Sequence, residues 1–317
     1  MVTRVLNRWL RPTPDAVAAP AATLPGIVPS ACLPRERHLH ARGRWRPGMP
    51  LRSGICRYEQ LDSRTFRGWA AALGEPWHPH RKLWEYCFVV QALEERGFLA
   101  RNRRGLGFAV GSEPLASFFA SRGCSITATD LPADDVRIAD WAPTSQWVGA
   151  VADLNRRGLC EPQRFARNVR FRPVDMNDIP DDLVDQDFTW SCCSFEHCGS
   201  IELGLRFLLA QMGCLRPGGV AVHTTELNLT SNDRTIDTGP TVIFRTTDLE
   251  WVIHELLARG HAVEPLDLAV GSTAEDRHID RPPYTQRPHL RLELGGFVAT
   301  SVGLIITKGQ DLGQAAG

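Results

Sequence analysis

The chain has 317 residues and a mass of 35.2 kDa, enough for one large domain or two small ones. Its 36 Lys and Arg residues balance 36 Asp and Glu residues, which excludes a basic field over the whole molecule for nucleic acid or an anionic membrane. No apolar run reaches the roughly 18 residues of a membrane span, and no secretory signal is evident. We therefore expect a cytoplasmic protein without membrane contact.

The first 104 residues are predicted to form two segments. Residues 1–60 are rich in Pro and Arg and poor in acids. A transit peptide has such a composition, but the prolines favour an irregular extension. In residues 61–104, apolar side chains from Leu83 to Leu99 recur at helical spacing. They predict a helical cap that ends near Gly97.

Residues 105–308 alternate between strand and helix patterns. The predicted strands are 105–110, 125–129, 169–174, 187–192, 220–224, 263–268 and 297–307, and the longest predicted helices are 113–121, 201–212 and 249–258. This order predicts an α/β fold with a mostly parallel, seven-stranded sheet and helices on both faces. Ligands of such sheets bind beyond the carboxyl ends of the strands. Residues 309–317 are predicted to form a C-terminal tail.

The segment GLGFAVGSEPLASFFASRGCSITATD, from Gly105 to Asp130, has the pattern of a nucleotide-binding unit. Gly111 would allow close backbone approach, and Asp130 would accept hydrogen bonds from ribose hydroxyls. Glu113 lies where a dinucleotide would place its pyrophosphate. A carboxylate there disfavours phosphate and favours an ammonium group, which indicates S-adenosylmethionine rather than NAD.

Later motifs occur in the matching order. The segment FRPVDMNDIPDDLVDQDFTWSCCSFEH and the turn CLRPGGVAVHTTE resemble class I S-adenosylmethionine-dependent methyltransferases over about residues 105–307. The run RKLWEY at 81–86 is similar to an uncharacterised bacterial subgroup of them. The resemblance implies a Rossmann-like fold, S-adenosylmethionine as cofactor, and Asp175 as the partner of the adenine amino group. The implied cofactor-binding set is Gly107, Gly111, Glu113, Asp130, Leu131, Asp175, Met176, Asn177 and Ser191.

The glycine loop departs from the family pattern at three positions. Ala109 replaces the first motif glycine, Glu113 the third, and Gly107 the usual acid at the strand's end. Only Gly111 is retained. These departures concern the contacts of the loop more than the identity of the cofactor.

Three residues after the fourth and fifth strands are the catalytic candidates. His223 and Glu226 lie at the end of the fifth strand, and His197 follows the fourth beside Glu196. A hydroxyl acceptor benefits from a nearby base, so we predict His223 as the base, with His197 and Glu226 in support. Each histidine could instead be a hydrogen-bonded structural residue.

The sequence contains two candidate metal sites, neither of which is predicted to bind a metal. Cys192, Cys193, Cys198 and His197 lack the paired spacing of a zinc site, and buried thiols explain them better. Asp233 and Asp237 with His223 and Glu226 could form a hard-cation site, but acidic loops are usually only solvated.

The acceptor site is expected between two apolar walls. Residues 271–296 form a long connection with His278, Tyr284 and His289, and are predicted to be an acceptor-site loop. Trp84 and Tyr86 of the cap would form the opposite wall.

These observations predict a methyltransferase for a small-molecule or saccharide acceptor, most plausibly at oxygen. The alternatives are a peptide or RNA acceptor docked by the Arg-rich N-terminus, and a non-catalytic S-adenosylmethionine-binding protein. We do not favour nucleic acid as a partner, because basic and aromatic residues do not interleave beyond that segment. A homodimer is compatible with the sequence, and a fold does not identify a substrate.

Overall fold

The computed structural model describes residues 39–41, 45, 46, 48–141 and 147–310. Side chains are described over the same ranges except at positions 140 and 141. The predicted extension therefore lies mostly outside the described residues, as do the last seven residues of the tail.

One sheet organises the described chain. Its strands are β1 (Gly54–Ile55), β2 (Arg104–Gly107), β3 (Ser125–Asp130), β4 (Val169–Pro173), β5 (Gln186–Cys192), β6 (Leu215–Asn228), β7 (Ala262–Val263), β8 (Arg291–Leu294) and β9 (Phe297–Thr307). The order across the sheet is β1-β9-β6-β5-β2-β3-β4, with β7 and β8 also pairing with β9. Strands β2 to β6 are parallel to one another, and β9 runs antiparallel to β6.

Helices cover both faces of this sheet. They are α1 (Tyr58–Leu61), α2 (Arg64–Ala72), α3 (Arg81–Glu95), α4 (Leu115–Ser121), α5 (Ile138–Trp141), α6 (Pro162–Asn168), α7 (Ile201–Ala210), α8 (Thr246–Ala258) and α9 (Ala274–Arg277). On one face the Phe119 ring of α4 meets Trp190 of β5 edge to face, with centroids 5.1 Å apart. On the other, Phe207 of α7 meets Phe108 at 5.0 Å. Each face thus has its own apolar core, because successive residues of a strand point to opposite sides.

The predicted fold class is confirmed, and the strand count differs. Nine strands rather than seven are present in the described part, because β9 is long enough to pair with the short strands β1, β7 and β8 as well as with β6. The strand predicted at 263–268 shrinks to Ala262–Val263, after which Pro265 interrupts the ladder. The predicted long connection contains α9 and β8.

The chain joins the sheet before the end of the predicted N-terminal extension. Strand β1 pairs with β9, so the chain is already part of the body at Gly54. Arg57 next to it is buried and forms an ion pair with Asp267 at 2.9 Å. None of the described helices is long and apolar enough to cross a membrane.

Candidate active site

A cleft of about 280 Å³ opens at the carboxyl ends of the parallel strands. The loops after β2, β3, β4 and β5 form its sides, and the first turn of α3 closes one end. This is the position at which open parallel sheets bind ligands. The predicted cofactor residues that line the cleft are Gly111, Glu113, Asp130, Leu131, Asp175, Met176 and Asn177.

The turn after β2 brings backbone close to the cleft. Gly111 has a φ of +49° and Ala109 a φ of +46°, both in the left-handed region that side chains disfavour. These two left-handed residues, separated by Val110, lie in the turn that connects β2 to α4. The retained motif glycine thus lies at a position where its conformation is required.

Asp130 at the end of β3 organises the loops around it. Its Oδ2 accepts from the backbone N–H groups of Gly111 at 3.0 Å and Val148 at 3.2 Å, and its Oδ1 from that of Leu131 at 2.9 Å. Burial raises the pKa of Asp130 to about 6, against the lowering effect of these amides. Oδ1 keeps acceptor capacity for one further donor from the cleft.

Asp175 beyond β4 is held by a neighbouring cation. Its Oδ2 accepts from the Arg137 guanidinium at 2.6 Å, and its Oδ1 from the backbone N–H of Asn177 at 2.9 Å. Asn177 in turn donates to the carbonyl of Cys198 at 3.1 Å. The acid, the amide and the arginine therefore present one fixed polar edge to the cleft.

Glu113 lines the cleft, and its partner is one that the sequence did not indicate. Lys82 Nζ lies 3.3 Å from Glu113 Oε1 and 3.3 Å from Glu85 Oε2, and donates to the carbonyl of Cys192 at 2.6 Å. Burial raises the pKa of Glu113 to about 7, although the Lys82 charge lowers it. The other oxygen, Glu113 Oε2, is buried without a hydrogen-bond partner among the described residues.

A second buried ion pair lies beside the first. Arg81 binds Glu226 at 2.5 Å and Glu85 at 3.4 Å, and also donates to the Ser301 hydroxyl at 3.3 Å. Glu226 Oε2 has no partner in the described chain. The predicted residue Glu226 is therefore in the cleft, where it pairs with a cation from α3.

Glu196 is a buried carboxyl group in the 3₁₀ turn after β5. Its Oε2 accepts from the Thr225 hydroxyl at 2.9 Å, whereas its Oε1 finds no donor within the described ranges. Burial, and then the nearby charge of Glu226, raise the pKa of Glu196 to about 8. Such a group holds a proton at neutral pH and releases it slightly above, which suits proton transfer.

His197 also lines the cleft, next to Glu196. Its Nδ1 lies 2.9 Å from the carbonyl of Pro240, so this nitrogen is the donor in the neutral ring. Burial lowers the pKa of His197 to about 4. The ring is therefore neutral at physiological pH.

Three predicted site residues lie outside the cleft. His223 is fully buried in β6, with its Nδ1 2.8 Å from the Ser191 hydroxyl and its ring edge-on to Phe207. Burial lowers its pKa to about 3. The Ser191 hydroxyl is thus engaged by His223. A Cβ on Gly107 would lie 2.3 Å from the Trp190 ring. All three belong to the sheet's packing: the side chains of Ser191 and His223 are buried in it, and Gly107 leaves room for the Trp190 ring.

The described residues contain no group of three His, Cys, Asp or Glu side chains that could hold a metal ion. Cys192 and Cys193 both line the cleft, and burial raises the pKa of each thiol well above its ordinary value. Cys193 donates to Glu85 at 3.0 Å, so this thiol extends the buried polar network.

The predicted acceptor walls are only partly in place. Tyr86 lines the cleft, but Trp84 is buried in the core, where its indole donates to Gln60 at 2.9 Å. The connection 271–296 contributes no lining residue in the described chain. The connection contacts the site indirectly, because His289 stacks on the lining residue His80 with ring centroids 4.7 Å apart.

Sequence reasoning missed the first turn of α3. Arg81 and Lys82 line the cleft, and Glu85, one turn further along the helix, pairs with both of them. The one available signal was composition: Lys82 is one of only two lysines in the chain, and it lies in the RKLWEY run.

No family model matches the chain, and no curated protein matches it. Solved structures do resemble it. An S-adenosylmethionine-dependent methyltransferase from Clostridium acetobutylicum is 10% identical, with 79% of this chain and 94% of that chain covered and a TM-score of 0.41. Magnesium protoporphyrin IX methyltransferase from Synechocystis is 10% identical, with coverages of 78% and 93% and a TM-score of 0.40. A [4+2]-cyclase is 16% identical, with coverages of 75% and 91% and a TM-score of 0.45. Likeness at this level says nothing about the reaction, which depends on the residues of the cleft.

Proposed function

We propose that the protein transfers the methyl group of S-adenosylmethionine to a small polar acceptor. The observation that carries the proposal is the row of buried carboxylates with unpartnered oxygens in the cleft, beginning with Glu113 beside the Gly111 turn. Unpartnered buried acceptors are costly unless a ligand brings donors. A sulfonium compound with an ammonium group and ribose hydroxyls supplies such donors and a positive charge.

The residues around the turn fit this cofactor. Glu113 Oε2 would accept from the ammonium group, and Asp130 Oδ1 would accept from a ribose hydroxyl. The edge formed by Asp175, Met176 and Asn177 would hold the adenine. When bound, the cofactor supplies an electrophilic methyl group: the acceptor's lone pair forms the new bond, sulfur keeps the electron pair of the broken bond, and the acceptor loses a proton.

The same residues disfavour a dinucleotide. Its pyrophosphate would face the buried carboxyl group of Glu113 at the turn where such ligands need bare backbone amides. The N–H of Gly111, which would otherwise be available to phosphate, donates to Asp130.

Glu196 is the proposed base, in the ionised form that a nearby positive charge favours. It lines the cleft, it has one oxygen without a donor, and its pKa of about 8 lies close to neutrality. His223, the base expected for an oxygen acceptor, lies inside the sheet. An oxygen acceptor remains compatible with Glu196, which could take a proton from either a hydroxyl group or an amine.

The size of the cleft favours a small acceptor. A volume of about 280 Å³ is just below the usual range of small-molecule sites and includes the cofactor's place, so it leaves little room for an acceptor. A peptide or RNA would need an open groove continuous with this cleft.

The test is calorimetric titration of the full chain with S-adenosylhomocysteine and, in parallel, NADH. We expect S-adenosylhomocysteine to bind with a dissociation constant on the order of 10 µM, and NADH not to bind.

Glu113→Gln should weaken binding about tenfold, because it removes a buried charge opposite the ammonium group. Glu202→Gln, on α7 outside the cleft, is the matched control and should bind like the wild type. Binding of NADH, or equal affinity of the Glu113 variant, would refute the proposal. Turnover of labelled S-adenosylmethionine with an acceptor separates an enzyme from a non-catalytic binder.

A further inference from the structure

The inner end of the cleft contains two carboxylates that nothing in the cofactor proposal uses. Glu196 and Glu226 are 0% and 3% exposed, and both line the cleft. Each has one oxygen committed, to Thr225 and to Arg81 respectively. The remaining oxygens, Glu196 Oε1 and Glu226 Oε2, have no donor in the described part of the chain.

The charges around these oxygens do not balance. The buried network of the cleft contains two cations, Arg81 and Lys82. Against them stand four carboxyl groups, those of Glu85, Glu113, Glu196 and Glu226. The ammonium group of the cofactor would add one positive charge opposite Glu113. At least one carboxyl group therefore still lacks a positive partner or must keep its proton.

We propose that the acceptor is an amine, bound through its basic nitrogen between Glu196 Oε1 and Glu226 Oε2. This inference rests on the proposed function for its reaction, but the binding of the amine rests only on the chain's own residues. An ammonium group offers up to three N–H donors and one positive charge, so it can serve two acceptor oxygens together. A hydroxyl group offers one donor and no charge, and it would leave one of the two oxygens unpaired.

The proton of the amine has a defined destination. The positive charge of a bound ammonium group favours the ionised form of Glu196, which releases its own proton to solvent when the amine binds. An amine must be neutral to act as a nucleophile, so the ammonium group then gives one proton to the ionised Glu196 Oε1. Thr225 keeps the carboxyl group oriented by donating to the opposite oxygen. Glu226, paired with Arg81, faces the positive charge that develops on nitrogen.

The test uses matched pairs of probes that differ only in nitrogen against oxygen. The full chain, saturated with S-adenosylhomocysteine, is titrated with tyramine and with tyrosol, and separately with glucosamine and with glucose. We expect the amine of at least one pair to bind about tenfold more tightly than its alcohol. In Glu196→Gln and Glu226→Gln this preference should fall to about threefold or less, whereas Glu202→Gln should keep it.

Three outcomes would overturn the amine site. These are equal binding of both members of each pair, no amine binding more tightly than its alcohol in either pair, and no binding of any amine while S-adenosylhomocysteine binds. The wild-type comparison needs no variant to fold. If S-adenosylhomocysteine does not bind, the proposed function fails. The amine titration without it then decides the site separately.

Discussion

Replacing Glu196 with Gln should change how the stability of the protein depends on pH. Burial and the neighbouring Glu226 raise the pKa of Glu196 to about 8, from an ordinary value of 4.5. Gln is nearly isosteric and can still accept from the Thr225 hydroxyl, but it cannot ionise. The comparison therefore isolates the cost of placing this one negative charge in the cleft.

The sign follows from proton binding in the two states. Between about pH 4.5 and 8 the folded protein keeps the proton on Glu196, whereas the unfolded chain has lost it. The free energy of unfolding of the wild type therefore falls as the pH rises through this window. At about 1.4 kcal/mol per pKa unit, the Gln variant should gain up to about 3.5 kcal/mol on the wild type between pH 5 and pH 8.

The assay is urea-induced unfolding of both proteins at several pH values from 5 to 8, followed by tryptophan fluorescence. Glu113 and Asp130 also have raised pKa values, but their contributions cancel in the difference between variant and wild type. Glu202→Gln is the control and should follow the wild type at every pH. If the difference between Glu196→Gln and wild type changes by less than about 0.5 kcal/mol over this range, the pKa of Glu196 is not raised by burial, and the argument from that pKa for its role in proton transfer is refuted.

Three further substitutions test the packing and charge of the site. Gly107→Ala should destabilise the protein by about 1–3 kcal/mol in urea unfolding, because a Cβ would lie 2.3 Å from the Trp190 ring; an unchanged midpoint would contradict this. Arg81→Met should cost about 3–5 kcal/mol by the same measurement, because Glu226 would be left buried without its cation, and a neutral effect would mean that the pair is not buried. His223→Ala should lower stability but leave the dissociation constant of S-adenosylhomocysteine within about threefold of the wild type, whereas a larger loss in calorimetry would place this residue in the site.

The local patterns of the chain were sufficient to predict most of the fold. Strand β9 was predicted at its observed limits, and helix α8 within three residues at one end. These segments have strong periodicity and Gly or charged boundaries. The short strand β1 could not be predicted, because two residues have no period, and Gly54 becomes part of a sheet through the distant partner Gly303.

The candidate site also contains residues that could be predicted from the sequence, and the sequence signal at its strand ends also selected a residue outside it. Gly111, Asp130 and Asp175 could be found from the sequence because each follows a strand directly, and parallel strands bring their carboxyl ends to one edge of a sheet. His223 has the same sequence signal, but the two-residue alternation of β6 turns it into the layer beneath, against Ser191. A chemically suitable residue near a strand end is therefore not sufficient evidence for a site.

The sequence by itself determined the α/β class, the order of the elements and the edge of the sheet at which a ligand would bind. These follow from periodicity and turn residues, which act over a few positions. Tertiary structure decided the charge of the cleft. It brings Lys82 to Glu113 and Arg81 to Glu226 across 31 and 145 residues, respectively. It also buries Glu196 deeply enough to hold its proton. Burial and long-range ion pairing depend on which elements pack together, and that information is not present in any local stretch of the chain.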